Sequence, residues 1–219
     1  MTGMARYPDK HFDLAIVDPP YGIGECGGDK KRGRKKDNYR KIVVHKQKEW
    51  DNQKPDQAYF TELFRVSKNQ IIWGANYFVN FLSAHMGWIY WDKLIGGDFS
   101  DGELAYTSFD RALRKYTYSY HGDTKGGHTR IHPTQKPVPL YRYLLTNYAK
   151  PGDLILDTHV GSASSLIACH DMGFDAVGFE LDPEYYRTSK QRLDDFMRQP
   201  RLDAPVLDDW QQMGLEESN

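Results

Sequence analysis

Leu154-Ile155-Leu156-Asp157-Thr158-His159-Val160-Gly161-Ser162-Ala163-Ser164-Ser165 reads as a buried strand opening into a turn of small residues and then a helix. The helix runs to about Met172, a second apolar run covers Ala176–Phe179, and Glu180 ends it. Asp182 then caps a further helix that has Pro183 in its first turn. This βαβα succession is how a Rossmann-like half binds an adenosine-containing cofactor. Gly161 lets the backbone pass close to a ligand, the helix N-terminus favours a negative group, and Glu180 is placed to hold two ribose hydroxyls. A pyrophosphate would want more glycine than Ser162, Ala163 and Ser164 allow, so a cofactor without phosphates is favoured over a nicotinamide. Read as packing alone, the same turn is a tight strand-to-helix connection.

Upstream, Phe12–Val17 is an apolar run stopped by Asp18-Pro19-Pro20-Tyr21, since two prolines cannot continue a central strand. A strand-end carboxylate, a rigid backbone and an aromatic ring suit a flat group bearing an NH2. Such an amine is a weak nucleophile because its lone pair is delocalised. If Asp18 and the Pro19 carbonyl each accept one N–H, the lone pair becomes available for attack on a sulfonium methyl. Tyr21 stacking on the ring would contribute about 1–3 kcal/mol. The plainer alternative is that the prolines only end a strand and Tyr21 packs in the core.

Between these segments the pattern predicts a helix capped by Asp56 with Phe60, Leu63, Phe64 and Val66 on one face, and a strand Gln70–Trp73 leading to a short helix through Phe81. Strands Trp88–Trp91, Leu104–Ser108 and Tyr116–Tyr120 follow, the last two as a hairpin-like pair. A helix begins near Pro137 and carries Leu140, Leu144 and Tyr148. The alternation predicts an α/β fold: a Rossmann-like, doubly wound, mostly parallel sheet with an antiparallel strand pair. One domain is expected over 1–219, with a catalytic half (12–110), a short recognition region (111–131), a cofactor half (132–198) and an acidic tail (199–219).

The chain has 219 residues, 39% hydrophobic and 14% aromatic, with a net charge of −1. No stretch approaches the ~18 apolar residues of a membrane span, and Met1–Lys10 has no apolar segment of the kind a secretory leader carries. Cys26 and Cys169 lack metal-ligand spacing and make no disulfide framework, so no metal is expected and a cytoplasmic location fits. Neither cysteine follows a proline, which argues against thiolate chemistry at cytosine C5. The near-neutral total hides a basic run in Gly22–Trp50, where Lys30, Lys31, Arg32, Arg34, Lys35 and Lys36 have few acidic neighbours. The run reads either as a solvated loop or as a polyanion-binding one.

Taken together, Asp18–Tyr21 (D-P-P-Y), His132-Pro133-Thr134-Gln135-Lys136-Pro137 and Asp157–Ser164, in this order, resemble a β-class DNA amino-methyltransferase, over about Phe12 to Leu193. Short phage- and prophage-type DNA methylases, some belonging to restriction-modification systems, are similar, including over Phe60–Phe78 and Leu104–Asp110. The resemblance implies the class I S-adenosylmethionine-dependent methyltransferase fold in permuted order, and methyl transfer to an exocyclic amine in double-stranded DNA. Asp in the first motif position favours adenine N6; cytosine-N4 enzymes usually have Ser there. It implies that Asp18, Pro19, Pro20 and Tyr21 are catalytic, and that Thr134, Lys136, Asp157, His159, Gly161, Ser162, Ser164 and Glu180 bind the cofactor, with Lys136 near its methionine carboxylate. The arm Lys30–Lys36, together with Arg114, Lys115, Lys125 and Arg130, would contact DNA, and a homodimer would extend the short recognition surface. His159 stands where the family has Phe, and Ala163 where it has Gly; the second departure raises the alternative of a catalytically degenerate DNA-binding homologue. RNA and protein-glutamine methyltransferases share a related motif, and against these the basic arm and the order of the motifs favour DNA.

Overall fold

The structure is a computed structural model and describes residues 3–24, 51, 54–95, 100–120 and 130–199. Among the described residues, seven strands and four α-helices follow in order: β1 (Phe12–Val17), α1 (Gln57–Val66), β2 (Ser67–Trp73), β3 (Trp88–Asp92), β4 (Gly102–Thr107), β5 (Arg114–Thr117), α2 (Val138–Tyr148), β6 (Ile155–Asp157), α3 (Ser164–Met172), β7 (Ala176–Gly178) and α4 (Pro183–Met197). The seven strands form one sheet in the order β5-β3-β4-β2-β1-β6-β7. All neighbours run parallel except at β4, which is antiparallel to both β2 and β3.

Side-chain alternation along the central strands builds a core on each face. Leu14, Ile16, Ile71, Trp73 and Ile155 point to one side, under α2 and α3; Ala15, Val17, Ile72 and Leu156 point to the other, under α1. This two-sided covering explains why β1 and β6 read as continuous apolar runs. Asp56 caps α1 by accepting from the Tyr59 amide (3.1 Å), and Asp182 caps α4 by accepting from Glu184 and Tyr185. Leu140, Leu144 and Tyr148 are all buried on α2, for which Pro137 serves as the cap.

Three local expectations are corrected. Leu104–Ser108 and Tyr116–Tyr120 are not a hairpin: β4 inserts between β2 and β3, and β5 lies parallel to β3 at the sheet edge. The edge strand is also earlier than expected, at Arg114–Thr117. Trp73 and Trp91, both fully buried and 6.2 Å apart, pack against each other across β4. On α1 the buried set is Tyr59, Phe60, Leu63 and Val66, with Phe64 only partly covered.

Candidate active site

β1 and β6 are adjacent and parallel, with Leu14 opposite Ile155 and Ala15 opposite Leu156. Their carboxyl ends therefore open at the same edge of the sheet, and the two segments singled out in the sequence, Asp18–Tyr21 and Asp157–Ser165, are neighbours there. In open α/β sheets this is where ligands bind.

Asp18 is the hub. Its Oδ1 accepts from the Tyr21 hydroxyl (2.6 Å) and its Oδ2 from the Lys136 ammonium (2.6 Å). Lys136 is almost fully buried and also contacts Glu103 Oε2 (2.9 Å), while Glu103 Oε1 takes Lys93 (2.5 Å). Charges thus alternate along Asp18, Lys136, Glu103 and Lys93. Burial pushes the Asp18 carboxyl above the usual range; the Lys136 charge opposes this and the Glu103 charge adds to it. Burial acts on Glu103 in the same sense, but Lys136 and Lys93 together hold it down, at about 2. Against its own burial, the Lys136 ammonium is held protonated by Asp18 and Glu103. Burial and the neighbouring Asp18 raise the Tyr21 phenol, so it stays a proton donor.

Chain topology explains Glu103. Because β4 runs against its neighbours, its first residues lie at the carboxyl edge, where a parallel strand would place its last. The Tyr21 ring stacks on Tyr77 (5.0 Å, 13° between planes) and passes so close to Gly74 that a Cβ there would lie 2.0 Å from Tyr21 Cε1. Gly74 has φ +63°, a second reason for glycine at that position. Asp51 anchors the segment after Tyr21 by accepting from the Gly22 amide (2.8 Å).

In the turn after β6, Asp157 is buried; Oδ1 accepts from the His159 amide (2.9 Å) and Oδ2 from the Ser165 hydroxyl. Burial raises its carboxyl to about 7 despite those two bonds. His159 is pushed down to about 4 by burial and is a neutral imidazole. Its Nδ1 lies 2.9 Å from Thr158 Oγ1, which in turn is 2.6 Å from the Tyr59 hydroxyl, so α1 fixes the ring. Glu180 Oε2 accepts from the Gly161 amide (2.9 Å) and Oε1 from the Asp182 amide (2.9 Å). Arg192, on α4, binds the Ser162 carbonyl (2.6 Å) and Ser164 Oγ (2.9 Å) and clamps the turn from outside. Thr134 Oγ1 is 3.1 Å from His132 Nδ1, whose ring packs beside Gly161 and Tyr185. Ala163 adopts φ +61°, which is the conformational reason a glycine suits that position.

The structure therefore gathers Asp18, Tyr21 and Lys136 directly, and assembles Asp157, His159, Gly161, Ser162, Ser164 and Glu180 in the adjoining turn. Of the expected DNA contacts, Lys30, Lys31, Arg32, Arg34, Lys35, Lys36 and Lys125 lie outside the described residues. Arg114 is exposed on edge strand β5, Lys115 beside it pairs with Asp92 (2.7 Å), and Arg130 stacks at 3.6 Å on the Tyr120 ring. Glu103, Lys93, Gly74, Tyr59 and Arg192 were missed. Only Gly74 carried a local signal, as a glycine at a strand end.

A profile of the DNA methylase family matches residues 33–191, beginning downstream of Asp18–Tyr21. The protein YubD of Escherichia coli K12 is 27% identical over 94% of this chain and 92% of its own length. The type II methyltransferase M.HpaI of Haemophilus parainfluenzae is 36% identical over a shorter stretch, 29% of this chain and 20% of that protein. Three solved structures share the fold at low identity. M1.HpyAVI, in complex with SAM, aligns with TM-score 0.55 and 16% identity over 84% of this chain and 90% of its own. TTHA0409 of Thermus thermophilus, in complex with S-adenosyl-L-methionine, gives 0.54 and 16% over 90% and 92%. The PvuII DNA methyltransferase, cytosine-N4-specific, gives 0.55 and 12% over 88% and 86%. With the family profile spanning most of the sequence, the chain belongs to the N6/N4 DNA methylase family.

Proposed function

We propose that this protein transfers the methyl group of S-adenosylmethionine to the exocyclic N6 amine of adenine in double-stranded DNA. The observation that carries the reading is the pairing of β1 with β6, which sets the Asp18 carboxylate beside the small-residue turn at one sheet edge.

The residues present fit the cofactor. A Cβ at Gly161 would meet nothing nearer than the His132 ring at 3.7 Å, so the turn leaves room above its backbone. Each Glu180 oxygen receives one backbone amide and keeps a lone pair for a ribose hydroxyl, and Leu181, fully exposed next to it, offers an apolar surface to a purine. S-adenosylmethionine, when bound, supplies an electrophilic methyl on a sulfonium. This chain's part is to present the nucleophile. Asp18 accepts one N–H from the amine, the Pro19 carbonyl accepts the other, and Tyr21 stacks on the base after it has left the duplex. The basic residues Lys30–Lys36, with Lys125 and Arg114, would contact phosphates. Asp rather than Ser at position 18 supports adenine over cytosine N4.

Expression in a methylation-free host, followed by sequencing that reads modified bases, tests the proposal. N6-methyladenine at a fixed site is the expected result, and Asp18→Ala abolishes it while S-adenosylmethionine binding by calorimetry persists. N4-methylcytosine at the site would replace the adenine reading. Unmodified DNA together with no cofactor binding up to millimolar concentration would favour the degenerate homologue.

A further inference from the structure

A buried lysine needs one counter-charge, and Asp18 alone, 2.6 Å from the Lys136 ammonium, supplies it. The second carboxylate on the same ammonium, Glu103 at 2.9 Å, is surplus to neutralising Lys136 and carries its own desolvation cost. Glu103 is in turn balanced from outside by Lys93, whose ammonium is fixed over the rings of Trp91 (5.5 Å) and Tyr120 (5.4 Å), the latter ring covered by Arg130. An arrangement that only buried Lys136 would need neither Glu103 nor Lys93.

We propose that Glu103 is a positioning residue for methyl transfer: by competing with Asp18 for the Lys136 ammonium, it leaves Asp18 incompletely neutralised and so able to accept an N–H of the target amine. The inference rests on the proposed amine-methylating function of the site. Without Glu103, Lys136 pairs with Asp18 alone, and the carboxylate becomes more acidic and a poorer acceptor. The other titratable groups facing Asp18 are Tyr21 on its own segment, Tyr59 on α1, Tyr141 on α2 and Asp157 on β6. None of these three tyrosines loses its proton in the working range, since burial raises each phenol. Asp157 titrates near neutrality and is present in every variant compared.

Two readouts test it on the full chain. In the first, carbon-13 NMR follows the Asp18 carboxyl of the ligand-free protein. In Glu103→Gln the Asp18 titration moves to lower pH, by about one pH unit, whereas in Lys93→Gln, which removes only the outer cation, it moves the other way. In the second, single-turnover methylation of unmethylated duplex DNA is measured against pH. Glu103→Gln slows it about three- to tenfold, with the acid limb displaced to lower pH, S-adenosylmethionine affinity within about twofold and thermal midpoint near wild type; Glu103→Asp restores part of the rate. An Asp18 titration that is unchanged or moves upward in Glu103→Gln overturns the proposal, as does a loss confined to cofactor affinity. If the wild-type chain methylates no DNA while the NMR titrations shift as described, the functional reading fails and the electrostatic coupling stands.

Discussion

Replacing Gly74 by Ala tests whether the D-P-P-Y tyrosine is held where the chemistry needs it. The new Cβ would lie 2.0 Å from Tyr21 Cε1, 2.4 Å from Cζ and 2.6 Å from Cδ1. Gly74 cannot retreat easily, because its amide is bonded to the Leu104 carbonyl (2.9 Å) and its carbonyl to the Tyr77 amide (2.9 Å). The Tyr21 ring must instead move by more than about 1 Å to regain ordinary carbon–carbon contact. Moving it breaks the hydroxyl bond to Asp18 and the stack on Tyr77. Left-handed strain of about 1–2 kcal/mol and overpacking of about 1–3 kcal/mol act together, partly offset by about 0.4–1 kcal/mol from the stiffer unfolded chain. The expected net destabilisation is about 2–4 kcal/mol in urea denaturation, with single-turnover methylation down about a hundredfold. Repeating the substitution in a Tyr21→Ala background removes the clash and leaves only backbone strain, about 1 kcal/mol. A Gly74→Ala protein with wild-type stability and rate, or an undiminished cost in the Tyr21→Ala background, would refute the close approach as the cause.

Two further substitutions report on the cofactor turn. At Ala163→Gly the relief of left-handed strain, about 1–2 kcal/mol, is offset by the lost burial of one methyl, about 0.8 kcal/mol, and by the freer unfolded chain, about 0.4–1 kcal/mol, so the thermal midpoint is expected to stay within about 3 °C of wild type with S-adenosylmethionine binding retained; a midpoint lowered by more than about 5 °C would contradict the strain argument. Asp157, its carboxyl raised by burial from the ordinary 3.8 to about 7, contributes stability that is fully present below about pH 3.8 and is lost as pH rises through about 7. Asp157→Asn keeps an acceptor for the His159 amide and should flatten that part of the stability–pH curve between pH 4 and 7 in chemical denaturation; an unchanged slope would argue against the shift.

The sequence was informative where structure is local. Asp18-Pro19-Pro20 ends β1 by the geometry of proline itself, and Asp56 and Asp182 announce their helices through the caps they provide. The small-residue turn was readable for the same reason: its glycine, its strand and its acidic partner all lie within one βαβ unit. Pairing was not readable, because the contacts across β4, such as that of Trp73 with Trp91, join residues of different strands and leave no periodic trace in the sequence. Glu103 was invisible on similar grounds. Its part in the site follows from strand direction, and its partners at 93 and 136 are brought close only by the assembled sheet. Position 163 lay between these extremes: the departure from glycine could be seen, but its positive φ required the backbone.

The seam between β1 and β6 has a consequence for biosynthesis. Asp13 grips the Leu154 amide through its side chain (2.9 Å) across 141 positions of chain. At ribosomal speeds of about 5–20 residues per second, β1 waits about 7–30 s for that partner to emerge. Throughout the wait the flank of Leu14–Val17 destined for β6 is an unpaired, apolar template for other nascent chains. Yield of active protein should therefore respond to translation rate, growth temperature and holdase chaperones more strongly than the stability of the finished fold would suggest.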